Sequence, residues 1–312
     1  MKFLVDLIKG IFVGVANVIP GVSGGTMAVS FGIYDKLLSS ISNLFRDFKK
    51  SFKTLLPIAI GMAIGIVGFT FIIPYLLENY PFVTSMAFTG LILGGLPAII
   101  KSLKDGWAND KNKSLAVNIL ILLILTAVAV IMPFINGDAE SGVLLTADVI
   151  TILKVFVMGI IVSATMIIPG VSGSLVLMIL GYYFGILSAV KSFIAALKDL
   201  NWSELLNQAL ILVPFAIGCL LGVFFISKLI EWLLKRYSSA TFSGILGLII
   251  SSPISIFYKV NQEYSMKGTG IVQIIIGVVI FAACVALTLF IGNLEKETPN
   301  DDSDADIIES ES

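Results

Sequence analysis

Two short runs carry most of the chemistry available to this sequence. Asn17-Val18-Ile19-Pro20-Gly21-Val22-Ser23-Gly24-Gly25-Thr26 is answered by Met166-Ile167-Ile168-Pro169-Gly170-Val171-Ser172-Gly173-Ser174-Leu175, and the Pro-Gly-Val-Ser-Gly cores stand at one constant offset. Proline removes a backbone donor and ends a helix, while glycine permits positive φ and close approach. A helix that restarts after such a break begins with unpaired N–H groups and the positive end of its dipole, which attract an anion. Ser23, Thr26, Ser172 and Ser174 add hydroxyls there, and Asn17 and Thr165 stand just before the breaks. The candidate binding set is therefore Asn17, Pro20, Gly21, Val22, Ser23, Gly24, Gly25 and Thr26 with Thr165, Pro169, Gly170, Val171, Ser172, Gly173 and Ser174. A plainer reading is that the glycines only let helices pack closely, as small residues do in membranes. Two copies, each with hydroxyls, favour the binding site.

Missing residue types narrow the chemistry further. The chain has no histidine, which removes imidazole bases, His-based triads and His-ligated metals. No Asp or Glu falls deep inside an apolar run, Asp6 and Asp35 are expected at the mouth of the first break, and the basic residues are expected near membrane interfaces. Neither a carboxylate relay nor a buried arginine clamp is foreseen, and neither is a metal or cofactor. Cys219 and Cys284 lie in apolar runs and read as packing residues.

The elements that must position the two runs are membrane helices. Of 312 residues, 57% are hydrophobic and only 13% charged, and mean hydropathy is +1.01. So few charges cannot keep such a chain in water, and a net charge of −1 offers no field to collect nucleic acid. About 20 apolar residues span the hydrocarbon layer. Six runs qualify, at 55–77, 82–100, 115–135, 209–232, 241–258 and 270–292. Two further apolar stretches, about 4–35 and 155–187, are broken near the middle by the Pro-Gly-Val-Ser-Gly runs. Arms of about ten residues on either side each cover half the membrane, which allows a re-entrant hairpin or a crossing broken at its centre.

The motif is one part of a longer repeat. Gly32 and Tyr34 match Gly181 and Tyr183, "LPIAIGMAIG" at 56–65 resembles "VPFAIGCLLG" at 213–222, and Tyr80, Thr84 and Gly90 fall opposite Tyr237, Thr241 and Gly247. The expected architecture is an all-α polytopic membrane protein of two inverted repeats, each a re-entrant hairpin plus three spanning helices. The first repeat covers 1–135 with an interfacial helix at 36–53, the second covers 150–292, and 293–312 is an acidic disordered tail. With hairpins, only Lys154, Lys191, Lys198, Lys259 and Lys267 of the twenty basic residues lie opposite the rest, a stronger bias than broken crossings give. The positive-inside rule then favours hairpins and puts both termini in the cytoplasm. The helix at 36–53, with Arg46, Lys49, Lys50 and Lys53 beside an apolar stripe, is expected to anchor at the interface or gather anionic lipid headgroups.

The stretches "GVANVIPGVSGGTMAVSFGIY" and "SATMIIPGVSGSLVLMILGYY" resemble the paired signatures of the bacterial polyprenyl-phosphate transporter family, formerly a domain of unknown function, and the resemblance covers nearly all of residues 1–292. It implies a flippase of the bacterial cytoplasmic membrane that returns undecaprenyl phosphate from the outer to the inner leaflet for cell-wall synthesis. The expected partners are the polyprenyl phosphate, membrane lipids and a coupling ion, H+ or Na+. Asn17 stands where family members often carry Asp, so this chain brings no carboxylate to that position. Polyprenyl-pyrophosphate phosphatases, also inverted repeats with re-entrant hairpins, are the alternative, with another small-anion transporter as a third reading. Their similar Pro-Gly-x-Ser turn is followed by Arg-Ser and served by paired glutamates. Here Ser23 is followed by Gly24-Gly25 and Ser172 by Gly173-Ser174, so no group is placed to activate a nucleophile or hold a transferring phosphoryl. A transporter, not an enzyme, is expected.

Overall fold

A computed structural model describes residues 2–19, 22–109, 114–135 and 145–294. The described residues are helical, and one order of elements runs through them twice. In the first half α1 (Lys2–Ala16) enters the first tip, α2 (Gly24–Ser30) and α3 (Tyr34–Ser42) leave it, and α4 (Phe48–Phe69), α5 (Ile72–Asn79), α6 (Pro81–Leu93), α7 (Leu96–Asn109) and α8 (Leu115–Ile131) follow. In the second half α9 (Val149–Ile167), α10 (Gly173–Ile179) and α11 (Tyr183–Lys198) flank the second tip, and α12 (Trp202–Arg236), α13 (Ser238–Tyr264) and α14 (Ile271–Leu294) complete the chain. Seven helical stretches are long and apolar enough to cross a membrane, eight if the bent pair α10–α11 counts as one. The protein is thus a multi-pass membrane protein. Two of these stretches, Pro81–Ala108 and Ser238–Tyr264, are more than half buried in the protein, and they hold corresponding places in the two halves.

Glycine decides how the helices approach. A side chain at Gly10 would strike the Ile58 carbonyl and one at Gly61 the Leu7 carbonyl, so α1 and α4 touch backbone to backbone. Gly159 against Phe215 and Gly218 against Phe156 repeat that contact between α9 and α12. Close contact of this kind supplies the van der Waals packing that holds helices together where lipid removes the hydrophobic drive. The last helix of each half packs on the other half: α8 lies along α13, with Gly247 on the Leu122 carbonyl, and α14 lies along α6, with Gly90 on the Phe281 carbonyl. The halves therefore interlock. The main apolar core collects around the first tip with Phe31, Ile33, Leu38, Ile92 and Ile249, while a smaller one, Val155, Ile186, Ala189 and Ile211, fastens the second hairpin.

Several local features differ from expectation. The incoming arms exceed ten residues: α1 has 15 and α9 has 19, the latter about 28 Å at 1.5 Å per residue. The α9 helix is lengthened by its cap, since Asp148 accepts from the Ile150 and Thr151 N–H groups at 3.0 Å each. Bonds from the Thr146 hydroxyl and from Thr151 hold that carboxyl well below the usual carboxylate range. The returning arms are single helices no longer: α2 and α10 have seven residues each and end at Gly32 (φ 72) and Gly181 (φ 77). Ile33 N–H bonds back to Ala28 and Tyr182 N–H to Leu177, the same left-handed glycine cap twice. The basic stretch 36–53 is divided, with α3 ending at Ser42 and Lys49, Lys50 and Lys53 opening α4. Finally, charge does enter the interior: Asp6 and Lys9 are buried, and Asp6 pairs with Lys36 at 2.5 Å, joining α1 to α3. Paired, hydrogen-bonded ions are the form in which charge survives there.

Candidate functional site

Each tip begins with a serine in extended conformation, Ser23 at φ −101, ψ 134 and Ser172 at φ −93, ψ 121. Both hold the N-cap position, and neither side chain caps its helix. Ser172 and Ser174 instead share a hydrogen bond at 2.9 Å. Pro20 and Gly21 lie outside the described residues. Val22, Ser23, Gly25 and Thr26 are buried, whereas Val171, Ser172 and Gly173 are half-buried and Ser174 is exposed.

The two tips touch. Gly170 N–H donates to Thr26 Oγ1 at 2.7 Å, and the Tyr34 hydroxyl donates to the Ile167 carbonyl at 3.1 Å. A Cβ on Gly25 would stand 3.1 Å from the Met166 and Ile167 carbonyls. Gly170 has φ +79, and a Cβ there would lie 2.7 Å from the Leu248 carbonyl oxygen. The Gly170 amide as donor and the Thr26 hydroxyl oxygen as acceptor thus fasten tip to tip. Asn17 and Thr165 also serve their own helices: Asn17 Nδ2 donates to the Val13 carbonyl at 2.9 Å and Thr165 Oγ1 to that of Val162 at 2.6 Å. They face Gly24 and Gly173, where a Cβ would stand 2.7 Å from Asn17 Nδ2 and 3.1 Å from Thr165 Oγ1. Pro169 is buried beside them.

The second tip opens to a cavity. A space of about 350 Å³ reaches from Gly170, Ser172 and Ser174 to the end of α13, where Ser255 and Lys259 line it, and to Met132 and Pro133 beyond α8. Ser172, Ser174, Ser255, Lys259, Gln262 and Glu263 give it polar groups, and Met132, Pro133, Leu175 and Met178 apolar ones. Lys259 was not foreseen as a site residue. Its one signal in the sequence is that the expected topology puts it on the face poor in basic residues.

The two halves differ in how the helix after the tip packs. In the first, α3 lies on α12: the Ser42 hydroxyl donates to Glu231, which also pairs with Lys235 at 2.6 Å, and Phe45 meets Phe224 edge-on at 5.0 Å. Packing of α11 on α4 to match that of α3 on α12 is not found among the described residues. Tyr34 is tied to the opposite tip, while its counterpart Tyr183 is only half-buried. Beside α3, a crevice of about 730 Å³ is lined by Lys36, Lys50, Asp47 and Glu231.

A family model described as VCA0040-like, undecaprenyl phosphate translocase-like, matches residues 13–273. The chain belongs to this family. It is 31% identical to a polyprenyl-phosphate transporter of Staphylococcus aureus over 279 residues, 88% of this chain and 94% of that one. A polyprenyl-phosphate transporter of Vibrio cholerae is 29% identical over 285 residues, 86% of this chain and 83% of its own. No solved structure matches. The family match covers both tips, the Tyr34 and Gly170 contacts and Lys259. Both relatives are named as transporters, and neither as a hydrolase.

Proposed function

We propose that this protein is a flippase that carries polyprenyl phosphate, with undecaprenyl phosphate as its substrate, from the outer to the inner leaflet of a bacterial cytoplasmic membrane. The reading is carried by one observation: two signature tips that touch inside a membrane protein, one of them opening its serines to a half-polar cavity. A phosphate in hydrocarbon without partners costs many kcal/mol, so the headgroup limits crossing, and the isoprenyl tail stays in lipid. First-turn amides and hydroxyls of the two tips replace its water. Both termini are cytoplasmic and the repeats are inverted, so the cavity at the second tip faces the outer leaflet. With α3 held on α12, the first tip is sealed from the cytoplasm. In the opposite state α11 closes on α4, α3 leaves α12, and the first tip opens, as exchange of conformations between inverted repeats requires. The coupling ion is H+ or Na+, and membrane lipids surround the exposed apolar faces. The phosphatase reading is disfavoured, because no observation adds a nucleophile with a base beside it.

Binding and hydrolysis test this reading together. Undecaprenyl phosphate should bind the purified protein well above its dephosphorylated alcohol, and phosphate release from undecaprenyl pyrophosphate should stay at the protein-free rate. Equal binding of the alcohol would remove the anion site, and phosphate release that depends on Ser172 or Ser23 would make the protein an enzyme.

A further inference from the structure

Lys259 lines the cavity below the second tip and makes no hydrogen bond or ion pair among the described residues. Glu263 stands one turn further along α13, at helical pairing distance, but is exposed and hydrogen-bonded to Tyr264. A half-buried lysine on a membrane helix normally finds a carboxylate or reaches out to the headgroup region. This one instead lines a space of about 350 Å³ whose other polar members are Ser172, Ser174, Ser255, Gln262 and Glu263. Ser255 is already bonded to the Ala129 carbonyl at 3.4 Å. Ser172 and Ser174 hold two hydroxyl hydrogens between them and spend one on their mutual bond, which leaves one to donate elsewhere. The cavity therefore presents one ammonium and one free hydroxyl beside the apolar side chains of Met132, Pro133 and Met178, with Gln262 and the Tyr264-bonded carboxylate of Glu263 exposed at its edge. Its volume is at the small end of ligand sites, which run from about 300 to 1,000 Å³.

We propose that Lys259 is the cation that captures the phosphate of the lipid at the second tip, with Ser172 and Ser174 donating beside it and the first carbons of the tail on the apolar side chains. The inference rests on the transport reading above and deepens it. On the proposed topology Lys259 is one of only five basic residues on the outer face, where the positive-inside rule disfavours it, so a ligand role explains a placement that topology does not. The repeat offset that pairs Gly90 with Gly247 puts Ser102 at the corresponding position of the first half. The lysine thus marks one entrance and not its counterpart. An ammonium acts as a compact charge without the planar fork of arginine, which suits a headgroup that must be released again after crossing.

The test uses the full chain in detergent with three probes: farnesyl phosphate, farnesol and inorganic phosphate. Loss of a hydrogen bond to a charged group predicts that Lys259→Gln binds farnesyl phosphate about ten- to a hundred-fold more weakly. Farnesol affinity should be unchanged, Lys259→Arg should bind farnesyl phosphate within a few-fold of wild type, and inorganic phosphate should not compete. A readout without any variant is acylation of the wild-type amine followed by mass spectrometry, in which farnesyl phosphate should shield Lys259 and farnesol should not. Unaltered farnesyl phosphate binding by Lys259→Gln, or no shielding, overturns the assignment. Competition by inorganic phosphate overturns the lipid part of it and leaves a free-anion site. If wild type does not prefer farnesyl phosphate to farnesol, the transport reading itself fails.

Discussion

At the scale of single residues, the glycines of the tips do different work. Gly170 needs positive φ and has the Leu248 backbone against it, whereas Gly24 faces the end of the exposed Asn17 side chain, which can rotate away. Gly170→Ala should therefore cost at least about 2 kcal/mol and lower the melting temperature in detergent by several degrees, while Gly24→Ala should leave it nearly unchanged. Equal effects would show that side-chain packing alone sets both positions. The serines separate by exposure in the same way. Ser172→Ala removes one hydrogen bond to a charged group, about 1.5–3 kcal/mol, and should weaken lipid-phosphate binding at the open tip roughly ten-fold or more. Ser23 is buried in this state, so Ser23→Ala should spare equilibrium binding and slow transport. The sequence announced these residues because proline, glycine and serine carry backbone instructions that need no partner. It did not announce that the Gly170 N–H would be taken up by the Thr26 hydroxyl oxygen, since that depends on a contact between residues 144 apart. Lys259 was hidden for the same reason: nothing within its own helix points to the second tip.

At the scale of elements, the fold reuses one set of helices but packs α3 on α12 more closely than α11 on α4. The repeat was legible in part because Gly61 and Gly218, matched within "LPIAIGMAIG" and "VPFAIGCLLG", are required where α4 meets α1 and α12 meets α9. The division of the hairpin's returning arm was less legible. Gly32 and Gly181 were visible as a matched pair, but a single glycine does not say whether a helix bends or ends; here the caps turn α10 and α11 through 110°. Likewise α4 begins at Phe48 because no breaker separates the basic stretch from the apolar run after it. That difference in packing gives a prediction. In a Cys219→Ser, Cys284→Ser background, Ser42→Cys with Glu231→Cys should be joined by a short thiol cross-linker, and transport should stop until the link is cut. The repeat offsets carry this pair to Lys191 and Pro74. Lys191→Cys with Pro74→Cys should cross-link only in protein that is turning over, and should then shut the cavity that holds Lys259. A second pair that links as readily at rest, or never links in active protein, would rule out exchange of conformations between the halves.

At the scale of the whole molecule, interlocking of α8 with α13 and α14 with α6 means that neither half is a free-standing unit, and motion must occur at the hairpins and their first long helices. Composition alone made the membrane legible, and charge placement suggested the topology; a bilayer's direction has no other mark in the chain. Impermeant thiol labelling should reach a cysteine at Ser265 from outside and one at Lys49 only from the cytoplasmic side. Lys49 labelled from outside would turn the first hairpin into a crossing and cancel the inverted arrangement. The central claim is movement of an intact lipid phosphate between leaflets. The most direct measurement places undecaprenyl phosphate in liposomes containing the protein and follows its exposure on each leaflet, with and without ion gradients. The account predicts that lipid phosphate confined to one leaflet reaches the other far faster than in protein-free liposomes, unhydrolysed, and that the Ser42–Glu231 cross-link returns the rate to the protein-free value. Exchange no faster than in empty liposomes, or equal exchange of the dephosphorylated alcohol through the protein, would contradict it.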